Sequence, residues 1–266
     1  MRRPTWSTPV YGVKRHRSNV GETLITPILK SPQTFKELSH RLDQVVGVPF
    51  AELGDYYHQP WRGGATQNKG WAGRLVDRLV GGDAGNAPEP DISSLGIEVK
   101  TIPIGRDAKV LEPTKITSLN YTDLATTEWS SSAPYHKLRS VLFVPIVKFN
   151  PSRPDEWFIR RPFLWLPAET VLDHLRQDYE SVRELVLARA FNRISSAKPP
   201  KGQGVALHPK PSAASAQTRA TYTIGGTQYR LLPRAWMLRQ TFTQPIVREN
   251  LRVDIKLAEA GAGQPD

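Results

Sequence analysis

Six consecutive apolar residues, Val141–Ile146 (VLFVPI), constrain this chain more than any other feature. A run this short with no polar position is hidden on both faces only as a central strand covered on each side. Pro145 supplies no N–H and so places the end of that strand near an edge. A second strand is predicted over Gly96–Ile104 (GIEVKTIPI), where residues alternate. Helical spacing occurs elsewhere. Thr34 and Glu37 fit a capping box, Phe35, Leu38, Leu42 and Val45 recur at helical intervals, and Gly47 ends the run. Lys69–Val80 puts Trp71, Leu75 and Leu79 on one face, and the stretch from Ala168 to Phe191 does the same with Leu172, Leu175, Tyr179, Val182 and Val186. Tyr222–Leu232 and Trp236–Phe242 read as late strands. Residues 55–68, 81–91 and 195–218 read as loops, the last as a mobile one. Helices and strands mix without regular βα alternation, so the fold class is mixed α/β.

Charge narrows the function classes. Lys and Arg number 36 against 25 Asp and Glu, a formal net charge of +11. A chain this basic points to a polyanion, and nucleic acid is the common one. There is no cysteine, which excludes disulfides, thiolate zinc sites and cysteine nucleophiles. No apolar run approaches a membrane span, and Arg2 and Arg3 are followed by no apolar stretch of a secretory signal. A soluble, cytoplasmic protein with no membrane partner is expected. Residues 1–26 are expected to form a basic, mobile extension, 27–251 the folded domain, and 252–266 a frayed tail.

The chemistry-bearing segment runs from Asp77 to Lys100. Asp91 precedes Glu98 by seven positions, and Glu98 and Lys100 flank Val99. In a strand, Glu98 and Lys100 point to one side while Ile97 and Val99 point to the other. A turn-rich segment can bring Asp91 to the same place, so two carboxylates and an ammonium converge at the edge of a sheet. Hard carboxylate oxygens suit one or two Mg²⁺ ions, with Asp77 on the preceding helix completing the set. Lys100 would orient or deprotonate a water and stabilise charge at a phosphate. The same spacing also occurs on ordinary solvated strand faces, where acids and lysines alternate without chemistry.

Lys69–Ile104 (KGWAGRLVDRLVGGDAGNAPEPDISSLGIEVKTIPI) closely resembles the MutH family. The similarity continues in order through Leu29–Gly47, Tyr135–Ile146, His208–Lys210 and Tyr229–Phe242. The resemblance implies a restriction-endonuclease-like fold with two lobes around a DNA-binding cleft, acting as a monomer. It implies a Mg²⁺-dependent endonuclease, with Mn²⁺ as a substitute, that nicks the unmethylated strand of hemimethylated GATC sites after MutS and MutL signal a mismatch. The family's catalytic aspartate, glutamate and lysine correspond to Asp91, Glu98 and Lys100, and its helix acid, usually glutamate, to Asp77. Its second active-site lysine corresponds to Lys137, expected on phosphate and otherwise an ordinary surface lysine.

Lys210 matches a lysine of the recognition loop, and Lys69 is assigned with it to DNA contact. A phenylalanine, an arginine and a tyrosine that the family uses near the bases are replaced by Lys115, His208 and Met237. The tyrosine is linked to sensing the adenine methyl group. These replacements leave the chemistry alone and alter base reading. They keep two further readings open: a type II restriction enzyme cutting both strands without an activator, and a non-catalytic DNA-binding module, for which Asp77 in place of glutamate is the support.

Overall fold

The structure, a computed structural model, describes residues 30–61, 70–82, 89–150, 153–196, 204–212 and 219–261, with backbone alone at 196 and 252–261. The expected N-terminal extension, Lys69 and the last five residues lie outside these ranges.

Three helices come first: α1 (Phe35–Asp43), α2 (Phe50–Tyr56) and α3 (Trp71–Val80). Then follow β1 (Glu98–Ile104), β2 (Thr114–Leu119), α4 (Tyr121–Thr126), α5 (Ala133–Leu138) and β3 (Val141–Val147). The chain continues through β4 (Phe158–Ile159), β5 (Phe163–Trp165), the long α6 (Glu169–Leu187) and β6 (Leu207–Pro211). A hairpin, β7 (Ala220–Ile224) and β8 (Thr227–Leu231), precedes β9 (Arg234–Leu238) and α7 (Gln240–Gly261).

The VLFVPI run is the centre of the main sheet, as its composition demands. β3 is buried at every position, pairs in parallel with β1 on one edge, and meets β5 and then β4 on the other. Pro145 does not mark an edge. Its C=O accepts from Arg160 N–H just past β4, so its missing N–H faces the gap between the end of β4 and the start of β5. A proline is tolerated where the partner strand changes, because no ladder bond is lost.

The sheet carries a core on each face. Val99, Leu142, Val144 and Ile146 pack with Leu38, Phe50, Leu75 and Leu79 of the first three helices. Ile102, Ile104, Val141 and Phe143 pack with Leu175, Tyr179, Trp236 and Leu238 on the other side. Period-two alternation along β1 therefore splits the sequence between two cores, and Glu98 and Lys100 share the side of Ile102 and Ile104.

Several expectations hold and several do not. The apolar face assigned to α6 is buried at all five named residues, and Trp71, Leu75 and Leu79 of α3 are buried as well. Thr34 Oγ1 accepts from Glu37 N–H, but the glutamate answers Gln33 N–H, not Thr34, so the capping box is shifted by one residue. Phe35 is 47% exposed, because the first turn of α1 overhangs the core that Leu38 and Leu42 enter. Residues 50–56 form a helix extending into the predicted loop; seven residues are too few for a periodic pattern, and burial of Phe50 and Leu53 holds the helix in place.

The predicted loop over 195–218 contains β6. The predicted strand Trp236–Phe242 stops at Leu238, after which Arg239 C=O accepts from Phe242 and Thr243 N–H as α7 begins. The backbone of α7 continues helically past Arg252, where a frayed tail was expected, to Gly261. Among the described residues no helix is long and apolar enough to cross a membrane.

Candidate active site

The spacing between Asp91 and Glu98 has a local cause. Residues 93–95 make one tight turn closed by Gly96, whose φ of +63° lies in the left-handed region that glycine enters without strain. The chain then doubles back, and Ile92 and Ile97 exchange N–H···O bonds of 2.9 and 3.2 Å. Pairing 92 with 97 sets 91 beside 98. Both isoleucines are buried, which anchors the turn from beneath.

Asp91 then caps the free edge of β1. Glu98 N–H points into the sheet, to Ser140 O at 3.0 Å, so the next N–H, that of Val99, points outward. It donates to Asp91 Oδ2 at 2.9 Å. One carboxylate oxygen of Asp91 is thereby held, and its side chain remains 21% exposed at the rim.

Glu98 is the opposite case. Its carboxylate is only 1% exposed and is held by two ammonium groups. Lys100 Nζ donates to Oε1, and Lys137 Nζ donates to Oε2 at 2.9 Å. Lys100 also lies 3.7 Å from Asp91 Oδ2, so it bridges the two acids. Lys137 comes from α5, which Ser132 starts by accepting from Tyr135 N–H. It is not the ordinary surface lysine of the alternative reading: it is 7% exposed and makes a second bond, 3.1 Å long, to the carbonyl of Glu89. That bond ties α5 to the segment leading into Asp91. Glu89 acts here through its backbone, so no side-chain pattern in the sequence could have singled it out.

Asp77 enters from α3, whose end is turned by Gly81 in the left-handed region, with Gly82 N–H returning to Asp77 O at 3.0 Å. Its side chain reaches solvent, yet protein surrounds it closely enough to desolvate it. Exposure together with desolvation describes the wall of a recess. Burial first, then the negative charge of Asp91, push the Asp77 carboxyl up to about 6, with Lys100 opposing and Glu98 adding.

Asp77, Asp91 and Glu98 thus share one electrostatic field, and they fit a hard divalent cation in donor type and charge, since such an ion would relieve the repulsion that raises Asp77. Among the described residues no three acidic or histidine side chains converge tightly enough to hold an ion in this arrangement. In this arrangement both Glu98 oxygens are engaged by lysine ammonium groups.

The residues assigned to base reading also come together. β2, β9 and β6 form a three-stranded antiparallel sheet, in which Lys115 is opposite Met237 and Met237 is opposite His208. Directly paired residues share a face, so these three stand in one cross-strand row, with Lys210 and Ala235 alongside. Lys115 and Lys210 are exposed, and Met237 and His208 are half-buried. Burial, then the charge of Arg239, hold the His208 imidazole below its usual value against a hydrogen bond to Met237 backbone. Lys210 belongs to β6 and not to a loop. Through β2 this sheet packs against β1 and α5, the elements that carry Glu98, Lys100 and Lys137.

A family model described as "DNA mismatch repair enzyme MutH" matches residues 80–178, which span Asp91, Glu98, Lys100, Lys115 and Lys137. The DNA mismatch repair protein MutH of Vibrio vulnificus (strain YJ016) is 34% identical over 218 residues, 82% of this chain and 94% of that protein. Those of Shewanella woodyi and Haemophilus influenzae (strain PittGG) are 33% and 32% identical, covering 82% and 85% of this chain and 92% and 98% of theirs. The mixed α/β architecture, with its sheet-edge acids, is a restriction-endonuclease-like fold, and the chain belongs to the MutH family of DNA mismatch repair enzymes.

Proposed function

We propose that this chain is a metal-dependent DNA endonuclease, acting as a monomer, that nicks the unmethylated strand at GATC sites in methyl-directed mismatch repair. A MutL-like partner, itself acting after MutS, would activate it. The observation that carries the endonuclease reading is the union of Asp91, Glu98 and Lys100 at the start of an edge strand, with a buried second lysine on Glu98.

Asp91, Glu98 and Asp77 would hold Mg²⁺, with Mn²⁺ as a substitute. Bound there, the ion supplies positive charge that offsets the charge of the scissile phosphate. The chain's own residues do the rest. Lys137 and Lys100 fix the Glu98 carboxylate in one orientation, so its oxygens are placed before substrate arrives. Asp91 is held by Val99 N–H. Lys100 Nζ, the more exposed of the two ammonium groups, would exchange its contact with Glu98 for a phosphate oxygen or a water when substrate binds. Lys115 and Lys210 offer donors to guanine edges or to phosphates, and Met237 an apolar contact.

That row also favours a second reading. The row presents an ammonium, a thioether and an imidazole with no phenol, a chemistry suited to base contacts other than those of a methyl-sensing nickase, as in a restriction enzyme cutting both strands. Purified protein, Mg²⁺ and three GATC duplexes (unmethylated, hemimethylated and fully methylated, with each strand labelled) separate the two. Nicking confined to unmethylated strands and stimulated by MutL supports the first reading. Efficient cutting of both strands without a partner supports the second, and no cleavage in any duplex with Mg²⁺, Mn²⁺ and MutL overturns both.

A further inference from the structure

Strand β6 has few backbone donors with which to anchor its outer edge. It is five residues long, lies at the edge of its sheet, and contains Pro209 and Pro211. Leu207, Pro209 and Pro211 share the backbone edge turned away from β9, and the prolines have no N–H, so Leu207 carries the one donor on that edge.

That donor is captured from below. Asp178, in the middle of α6, accepts from both Ala206 N–H and Leu207 N–H through Oδ2, each at 2.8 Å. On the other side Ala206 C=O accepts from Arg239 N–H at 2.9 Å. One turn earlier on α6, His174 Nε2 meets Gly204 O at 2.6 Å. Three contacts thus tie residues 204–207 to the helix beneath them.

Asp178 is an unusual choice for the task. It is 2% exposed, lies among Leu175, Tyr179 and Val182, and its other oxygen, Oδ1, is buried with no hydrogen-bond partner among the described residues. A carboxylate placed so, with half its acceptors unused, weakens a core that an apolar side chain would fill. The consequence of its presence is the placement of β6. A slip of one residue would turn His208 and Lys210 to the face that Leu207 and Pro209 now occupy.

We infer that Asp178 is a positioning residue for base recognition: it locks the register of β6 so that His208 and Lys210 stand in the row with Met237 and Lys115. The inference rests on the endonuclease reading above.

The test compares cleavage of a cognate duplex with cleavage of the same duplex carrying one changed base pair. Asp178→Asn keeps an acceptor oxygen and holds the wild-type ratio. Asp178→Ala lowers that ratio about tenfold or more, chiefly through KM for the cognate duplex. Adding Lys210→Ala to Asp178→Ala lowers it no further, and amide exchange at Ala206 and Leu207 accelerates in Asp178→Ala alone. The inference is overturned by a folded Asp178→Ala with the wild-type ratio, by Asp178→Asn as damaging as Asp178→Ala, or by an undiminished Lys210→Ala effect in the double variant. If Asp178→Ala does not fold, His174→Ala loosens the same segment from its more open side: a lowered ratio supports the inference and an unchanged one overturns it. Failure of the endonuclease reading shows in the wild-type chain, which then cleaves nothing, whereas failure of this inference shows only in the variants.

Discussion

Replacing Lys137 by methionine should expose how much of the site's order depends on one buried ammonium. Methionine nearly matches lysine in length and flexibility, so the change removes charge and donors without opening a large cavity. Two acceptors lose their partner: Glu98 Oε2 at 2.9 Å and the Glu89 carbonyl at 3.1 Å. Glu98 is 1% exposed and cannot turn to water for compensation. Lys100 still holds Oε1, so the loss falls at the low end of the roughly 3–5 kcal/mol for breaking a buried ion pair outright. Two charge-assisted or buried bonds at about 1.5 kcal/mol each give the same figure, near 3 kcal/mol. For a chain of this size that lowers Tm by about 6–12 °C. Thermal and urea unfolding of the metal-free protein at neutral pH, followed by circular dichroism, measures it. A loss below about 1 kcal/mol, the range of an exposed ion pair, would refute the account of Lys137 as a buried strut. Cleavage by the variant should fall about 100-fold or more, because Glu98 and the segment leading to Asp91 both lose their anchor.

Asp77→Asn should stabilise the metal-free protein, with a definite pH signature. Folding raises the Asp77 carboxyl from 3.8 to about 6, so its charge opposes folding above about 6, where it is ionised in both states. The asparagine advantage is therefore fully present above about 6 and disappears as pH falls toward 3.8; an advantage that grows in acid contradicts the assignment. Asp91→Ala and Glu98→Ala should each abolish both cleavage and Mg²⁺ binding by calorimetry while DNA affinity persists, whereas Lys100→Ala should abolish cleavage and keep metal binding. Retained cleavage in any of the three removes that residue from the site. Lys210→Ala should blur preference for the cognate site more than it slows cutting, and affinity for DNA should fall steeply with salt. A flat salt response contradicts a basic binding face.

Much of this protein could be read without coordinates where the signal was local. The VLFVPI run specified a central strand, and the apolar stripe of α6 specified which face it buries, because periodicity records burial directly. Asp91, Glu98 and Lys100 were legible because a turn and a strand alternation place them within one short segment. The chemical roles proposed for them come only from resemblance, since the same spacing occurs on inert strands.

The rest depended on contacts between distant segments. Residue type alone could not distinguish a buried Lys137 from a surface lysine, because burial depends on α5 closing over Glu98, 39 residues earlier. The helix at 50–56 and strand β6 carry too little pattern of their own and exist because other elements cover them. Lys115, His208 and Met237 form one row only because β9 lies between β2 and β6. Asp178 reads as a polar residue on an amphipathic helix until the fold carries Ala206 and Leu207 to its carboxylate. The sequence by itself determined β1, β3, the buried faces of α3 and α6, and the order of the acids, because those follow from neighbours a few residues apart. Tertiary structure alone decided which charges are buried, which are paired, and which side chains stand together on the face of β2, β9 and β6, because each of those depends on long-range closure.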